Sequence, residues 1–485
     1  MATTKLVSYL IAVAAFTVAN SAGAVGLPDV SNVHTGKQLK ETKNFSSALK
    51  SGTPDLSLRL RYENVSDKIP AASPLAGTGD ASLWSIRTKL GYSTARYNGF
   101  YGRVEFEANT TMGKDKALNI DDDLTFPPGP AGSRIRAGYA VIPDNNFVEF
   151  NEAYLGWRSA TSGCKNAPGG CNGSTTVKVG RQSIIYNNHR WVGNIVWRQN
   201  FQTYEAFRID NSSINNLTAS YVYLDKVLRT FGPNSVFDEW DMNNSHLINV
   251  AYKLPLGKLT GYGYLLDFND NPKTPFKEGV GTPGTPGIVN FDSDTWGLRF
   301  VGKKKTSDKF SLLYELEWAN QKPTADADPR LSGNNYYNIE FGGAFKVAGK
   351  PVVVKVGQEV LGSNGVNALQ TPLATIHAFN GWADKFIGAP GGTATPVGGL
   401  EDTSITLVVK GLIGKSKLVV AYHNFQANKA IRGVSDYGNE WDMLFAKPFT
   451  KNWLGLVKYA SFTDGGDGFS FDTDKFWVMA RYKFK

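Results

Sequence analysis

From Leu56 onward the chain alternates. Leu56, Leu58, Leu60 and Tyr62 hold one parity and Ser57, Arg59 and Arg61 the other, the period of a strand with one apolar and one polar face. A single strand of this kind would suit a soluble sandwich, but the pattern recurs at roughly eighteen places along the chain, each long enough for a tilted strand to cross a bilayer. The recurrences lie near 56–64, 83–94, 99–109, 147–158, 174–181, 203–210, 214–223, 245–253 and 258–268, and then near 294–302, 309–319, 335–346, 351–360, 403–412, 415–425, 437–447, 451–462 and 474–484. An even count suits a closed antiparallel sheet with no unpaired edge.

The connections show a second period. Those after odd-numbered strands are long, as in 110–146, 182–202, 269–293 and 361–402, whereas those after even-numbered strands are mostly short, as in 95–98, 211–213, 255–257, 347–350 and 413–414. The expected fold is therefore all-β: a transmembrane antiparallel β-barrel of about 18 strands over 56–485, with long extracellular loops and short periplasmic turns. Ahead of it, residues 1–24 read as a signal peptide, with Lys5, an apolar run from Leu6 to Ala19 and a small-residue site at Ala22, Gly23 and Ala24. Residues 25–55 read as a polar periplasmic lead-in with a short helix near Lys37–Leu49.

Alternation also assigns the lumen. Trp296, Leu298 and Phe300 share a face, as do Phe310, Leu312, Tyr314, Leu316 and Trp318, and Phe476, Val478, Ala480, Tyr482 and Phe484. Lipid on that side forces the charges inward, since an Arg or Lys facing the bilayer midplane costs about 2–4 kcal/mol. The expected pore lining is basic at Arg59, Arg61, Arg87, Lys89, Arg103, Arg158, Arg299, Lys355, Lys410, Lys458, Arg481 and Lys483. It is acidic at Glu105, Glu107, Glu152, Glu315, Glu317, Glu340, Glu359, Glu440 and Asp442. The two signs are similar in number, so neutralising ladders that stiffen the wall compete with a solute-selective lining.

Composition narrows the function. The net charge of +9 comes without a basic helix, zinc-finger spacing or RNP-like motif, which argues against nucleic acid and for an anionic solute or anionic lipid. Cys164 and Cys171 are the only cysteines, and in an oxidising compartment they can close a disulfide across the turn-forming Pro168-Gly169-Gly170; neither a metal nor a cofactor is expected. Gly414-Lys415-Ser416 matches part of a phosphate-binding loop, but Val409 stands where that motif needs glycine and the triplet joins two strands, so it reads as a hairpin turn. Asp121 to Asp123 and Asp267 to Asn271 lack the spacing of a calcium loop. His34, His189, His246, His377 and His423 sit in no nucleophile-elbow context, so no enzyme is expected.

One stretch stands apart. Gly180 to Asn200 concentrates Arg181, Arg190 and Arg198 with Gln182, Gln199, Trp191 and Trp197 between two strands. Gly180-Arg181-Gln182, Arg190, Val192-Gly193, Trp197 to Asn200 and Gln202-Thr203 resemble the hallmark segment of the alginate-export family of outer-membrane barrels. Gly357-Gln358-Glu359, Phe379 to Asp384 and Gly399 to Asp402 resemble a second block of the same family. The resemblance implies an anionic polysaccharide or related solute passing an arginine-bearing constriction, with Arg181, Arg190 and Arg198 at the selective region and Trp382 and Asp384 on a loop folded into the lumen. The C-terminal Tyr482-Lys483-Phe484 resembles the signal read by outer-membrane assembly machinery, with Lys485 added beyond the usual terminal aromatic. The expectation is a monomeric channel of the Gram-negative outer membrane, passing hydrophilic solutes by passive diffusion. Its partners would be outer-membrane lipid, the assembly machinery and a small-molecule or polysaccharide solute. Uptake of neutral or aromatic nutrients, an outer-membrane enzyme and a structural barrel are the alternatives.

Overall fold

Each alternating segment is a strand paired with its chain neighbours. A computed structural model of the chain describes residues 39–69, 80–116, 140, 142–159, 174–233, 235, 238–269, 292–324, 332–387 and 395–484. The first half comprises β1 (Thr53–Asp67), β2 (Ala81–Ser93), β3 (Phe100–Lys116), β4 (Phe147–Arg158), β5 (Thr175–Gln182), β6 (Thr203–Asn211), β7 (Leu217–Leu228), β8 (Glu239–Leu254) and β9 (Gly257–Leu266). The second comprises β10 (Ser293–Lys305), β11 (Phe310–Pro323), β12 (Asn334–Val347), β13 (Lys350–Leu361), β14 (Leu400–Lys410), β15 (Lys417–Ile431), β16 (Val434–Pro448), β17 (Trp453–Thr463) and β18 (Thr473–Phe484). β1 pairs with β2 on one side and β18 on the other, closing an antiparallel barrel of 18 strands. Closure satisfies the backbone of both terminal strands, which an open sheet would leave bare.

The outer surface is apolar. Trp296, Leu298, Leu316, Trp318, Ile339, Phe341, Trp441 and Met443 are all exposed on it, while their sequence neighbours Arg299, Glu315, Glu317, Glu340, Glu440 and Asp442 are buried inside. A water-soluble sheet would not leave such a belt uncovered. No helix among the described residues is long and apolar enough to cross a membrane.

The short-connection end is tight. Ala348 and Gly349, both at positive φ, form the turn between β12 and β13. The lead-in packs at this end: Glu41–Thr42 pairs in parallel with Arg96–Tyr97 of the β2–β3 turn. α1 (Phe45–Lys50) follows, capped where Asn44 Oδ1 accepts from Ser47 N at 2.8 Å.

At the opposite end one connection departs from expectation. β15 and β16 run on to Ile431 and Val434 and join through Arg432 and Gly433, with φ of 53° and 87°. A two-residue turn of this hand matches the twist of the strands, so the polar stretch expected as a loop continues as hairpin. The 1–24 segment, Asp121 to Asp123, Cys164 and Cys171 lie outside the described residues.

Candidate functional site

The inner wall carries charge ladders. Arg299 Nη2 lies 2.8 Å from Glu315 and its Nε 3.2 Å from Glu317; Lys355 Nζ lies 3.1 Å from Glu340. Arg103 meets Glu152 at 2.6 Å, Asp55 at 2.9 Å and Glu105, and Lys89 meets Glu105 at 2.5 Å. Arg87 lies 3.4 Å from Glu107. These pairs are buried, so each carboxylate offsets the desolvation of its cation and holds neighbouring strands in register.

Across β2, β1 and β18 the pattern differs: Arg87, Arg59 and Arg481 stand directly opposite one another, a row of like charges. Such a row needs acceptors, and the chain supplies them from its own loop. Residues 183–202, between β5 and β6, fold into the barrel. Arg59 donates through Nε to Gln199 Oε1 at 2.8 Å, through Nη1 to the Val196 carbonyl at 2.9 Å, and through Nη2 to the Arg198 carbonyl. Arg61 donates to the Trp197 carbonyl and to Asp144. Phe201 sits with Arg87 and Lys89 over its ring, at 4.8 and 3.9 Å from the centroid.

A second inward segment, 362–387, follows β13 and interlocks with the first. Gly193 N donates to Leu373 O at 2.9 Å and Thr375 N to His189 O at 3.0 Å. A Cβ on Gly193 would lie 2.1 Å from Thr375 Oγ1, so only glycine allows this approach. Arg190 joins both loops to the wall, reaching Glu359 at 2.7 Å, and Thr371 and Asn380 at 3.2 Å each.

The loops meet the wall at Lys458. Its Nζ lies 4.2 Å from the Trp197 ring centroid, 3.7 Å from Trp382 and 5.1 Å from Trp477, and 2.6 Å from His377 Nε2. His377 Nδ1 lies 2.6 Å from Asp384 Oδ1. These partners fix one tautomer: Nδ1–H donates to the carboxylate and bare Nε2 accepts from the ammonium. Burial, helped by Lys458, drives the His377 pKa down to about 3 against the pull of Asp384, so the ring stays neutral. Burial would raise Asp384, but His377, Lys475 and Arg198 hold it well below the carboxylate range. Arg198 reaches Glu63 and Asp384 at 3.1 Å each, and Lys475 reaches Asp384 at 2.9 Å.

Most expected lining residues thus face inward, but many are spent on ladders or loop anchoring. Arg181 is a correction. It shares parity with Val177 and exposed Val179, and pairs at 2.6 Å with Glu205, whose neighbour on the same face, Phe207, is also exposed. The strand period therefore sets Arg181 on the outer face. Arg158 ends β4 at a cavity near the short turns. Glu63, Asp144 and Trp477 carry no expectation from sequence as site residues, whereas Glu440, expected on the wall, binds loop amides at Trp382 and Ala383. Glu63 shares the inward parity of Arg59 and Arg61 on β1, but the contacts that Asp144 and Trp477 make with Gln199 and Trp197 join distant parts of the chain, and no local pattern marks those contacts.

His423 has Nδ1 at 2.9 Å from Asp402 and Nε2 at 3.8 Å from Asp442, so among the described residues neither nitrogen engages a hydroxyl nucleophile. Two larger cavities open at the short-turn end. One, ≈ 520 Å³, is walled by Tyr101, Tyr154, Tyr186, Arg158, Lys178 and Arg208. The other, ≈ 530 Å³, lies between β13 and β18.

No family model matches the chain, and no curated protein sequence matches it. Solved structures do. OpdQ of Pseudomonas aeruginosa superposes with a TM-score of 0.59 at 15% identity over 91% of this chain and 99% of that one. OccK9 (OpdG) of the same organism gives 0.61 at 11% over 90% and 99%. OccAB4 of Acinetobacter baumannii gives 0.60 at 14% over 89% and 98%. At these identities the shared property is the barrel fold.

Proposed function

We propose that the chain is a monomeric outer-membrane channel that passes hydrophilic solutes, preferentially anions, by passive diffusion. Outer-membrane lipid contacts the apolar outer belt, and assembly uses the C-terminal strand. The observation that carries the reading is a closed barrel with an apolar exterior and a cation-bearing interior narrowed by two interlocked loops. Narrowing by loops makes a pore selective, because a solute must exchange its hydration for wall contacts. Uronates, including alginate, fit the anionic class and the family resemblance carried by the 180–200 and 357–402 segments. The cavity walled by Tyr101, Tyr154 and Tyr186 favours a second reading, uptake of small neutral or aromatic nutrients.

Reversal potentials in planar bilayers under a KCl gradient test the proposal. The expected result is chloride preference and block by uronate oligomers. Cation preference would sink the anionic assignment, and absence of conductance would sink the channel.

A further inference from the structure

Three neighbouring short turns, over 253–257, 303–310 and 346–351, share one character. Lys253 opens the β8–β9 turn, the β10–β11 turn carries Lys303, Lys304, Lys305 and Lys309, and Lys346 and Lys350 flank the β12–β13 turn. All seven lysines are exposed. Asp308, which Lys305 meets at 2.6 Å, is the one carboxylate in these turns, and no arginine stands in them. Antiparallel pairing of β8 through β13 sets the turns side by side on the short-turn rim. Tyr314 on β11 donates its hydroxyl to Leu256 O, tying β11 to the β8–β9 turn. The rim continues the outer apolar belt. On β10 Lys304 follows Trp296, Leu298 and Phe300 at the same parity, and on β13 Lys350 has the parity of exposed Val356. Leu254, Leu256, Phe310 and Val347 are exposed among the lysines. Such a surface is amphipathic: acyl chains cover the apolar rows, and ammonium groups on long aliphatic stems reach the level at which the hydrocarbon ends.

We propose that this arc of the rim binds the headgroups of an anionic phospholipid in the leaflet at the short-turn end. A zwitterionic headgroup holds an ammonium beside its phosphate and offers little net attraction, whereas a phosphatidylglycerol-type headgroup brings net negative charge to a surface rich in lysine. The compact, hydrated ammonium of lysine suits exchange among phosphates, because it imposes no fixed fork geometry on them. The outward parity of Lys304 and Lys350, and the apolar side chains among the lysines, favour the bilayer over a cell-wall polymer lying beyond the turns. The inference names a lipid partner for the outer-membrane channel and rests on that reading.

The test places the full chain in vesicles of equal parts phosphatidylcholine and phosphatidylglycerol and reads, by electron spin resonance, the association of a spin-labelled trace of each lipid. Phosphatidylglycerol is expected to associate at least about threefold more strongly at low salt, and the preference should shrink in about 1 M KCl, where charges are screened within about 3 Å. K304Q/K309Q/K350Q should bring the two lipids close to parity, and K304E/K350E should turn the preference toward phosphatidylcholine. A preference unchanged in both variants would overturn the inference, as would retention on peptidoglycan that the triple variant loses while its lipid association stays at the wild-type value. Failure to insert into the vesicles would refute the membrane channel and this partner together, whereas insertion with no preference between the lipids would refute the partner alone.

Discussion

Arg59 Nε donates at 2.8 Å to Gln199 Oε1, joining β1 to a loop 140 residues away. Through this contact and its bonds to the Val196 and Arg198 carbonyls, one wall arginine supports the first inward loop. Removing a donor leaves buried acceptors unsatisfied at about 1–3 kcal/mol each. Arg59→Ala is therefore expected to keep the barrel folded, judged by heat-modifiable gel mobility, while raising single-channel conductance and current noise. Wild-type conductance in this variant would mean that the loop holds without the arginine.

Arg198 and Arg181 should behave oppositely. Arg198→Ala strips Glu63 and Asp384 of a buried cation and moves the lumen toward negative charge. Chloride selectivity should fall severalfold in bilayer measurements. Arg181→Ala, on the outer face, should leave selectivity at the wild-type value; a loss there equal to that of Arg198→Ala would contradict the outward placement.

Glu440 anchors the second loop by accepting from Ala383 N at 2.7 Å and from Trp382 N. Gly381 beside them has φ of 81°, and a Cβ there would lie 2.3 Å from Glu440 Oε2. Gly381→Ala combines left-handed strain of about 1–2 kcal/mol with that clash. Faster proteolysis of the 362–387 segment is expected, with an intact barrel; an unchanged cleavage rate would show the loop to be held elsewhere.

The loops should loosen in acid. Burial drives His189 down to about 4 from 6.5, and its ring Nδ1 faces Thr375 Oγ1 at 3.5 Å. A histidine buried neutral contributes stability that is complete above pH 6.5 and is lost as pH falls toward 4, because the released loop binds the proton first. Channel noise should rise across that window, and His189→Gln should remove this component. Noise that rises equally in the variant would assign the effect to other groups.

The outer belt has its own test. Leu298→Arg puts a cation on the apolar face, at a cost of about 2–4 kcal/mol near the bilayer midplane. Folding yield into lipid vesicles should drop, whereas yield unaffected by the change would place Leu298 away from the acyl region.

Much of the architecture is readable from residue order because it rests on a local rule. A strand has a period of two, so Leu56, Leu58 and Leu60 must oppose Arg59 and Arg61, and Trp296 and Leu298 must oppose Arg299, whatever the rest of the chain does. The same rule, carried from Val177 and Val179, places Arg181 outward, whereas the family resemblance implies a place for it at the selective region. The count of strands and the side of the sheet each charge occupies were therefore determined by sequence alone. Which charges remain open to a solute was not. Arg59 finds carbonyls at Val196 and Arg198, Arg190 finds Glu359, and Lys458 finds three indoles, only after closure of the barrel brings distant strands and two loops to one place. Loop contacts follow no period, and their energy depends on partners separated by whole strands of sequence, so tertiary structure alone decided which lumen cations brace the loops and which line the short-turn cavities.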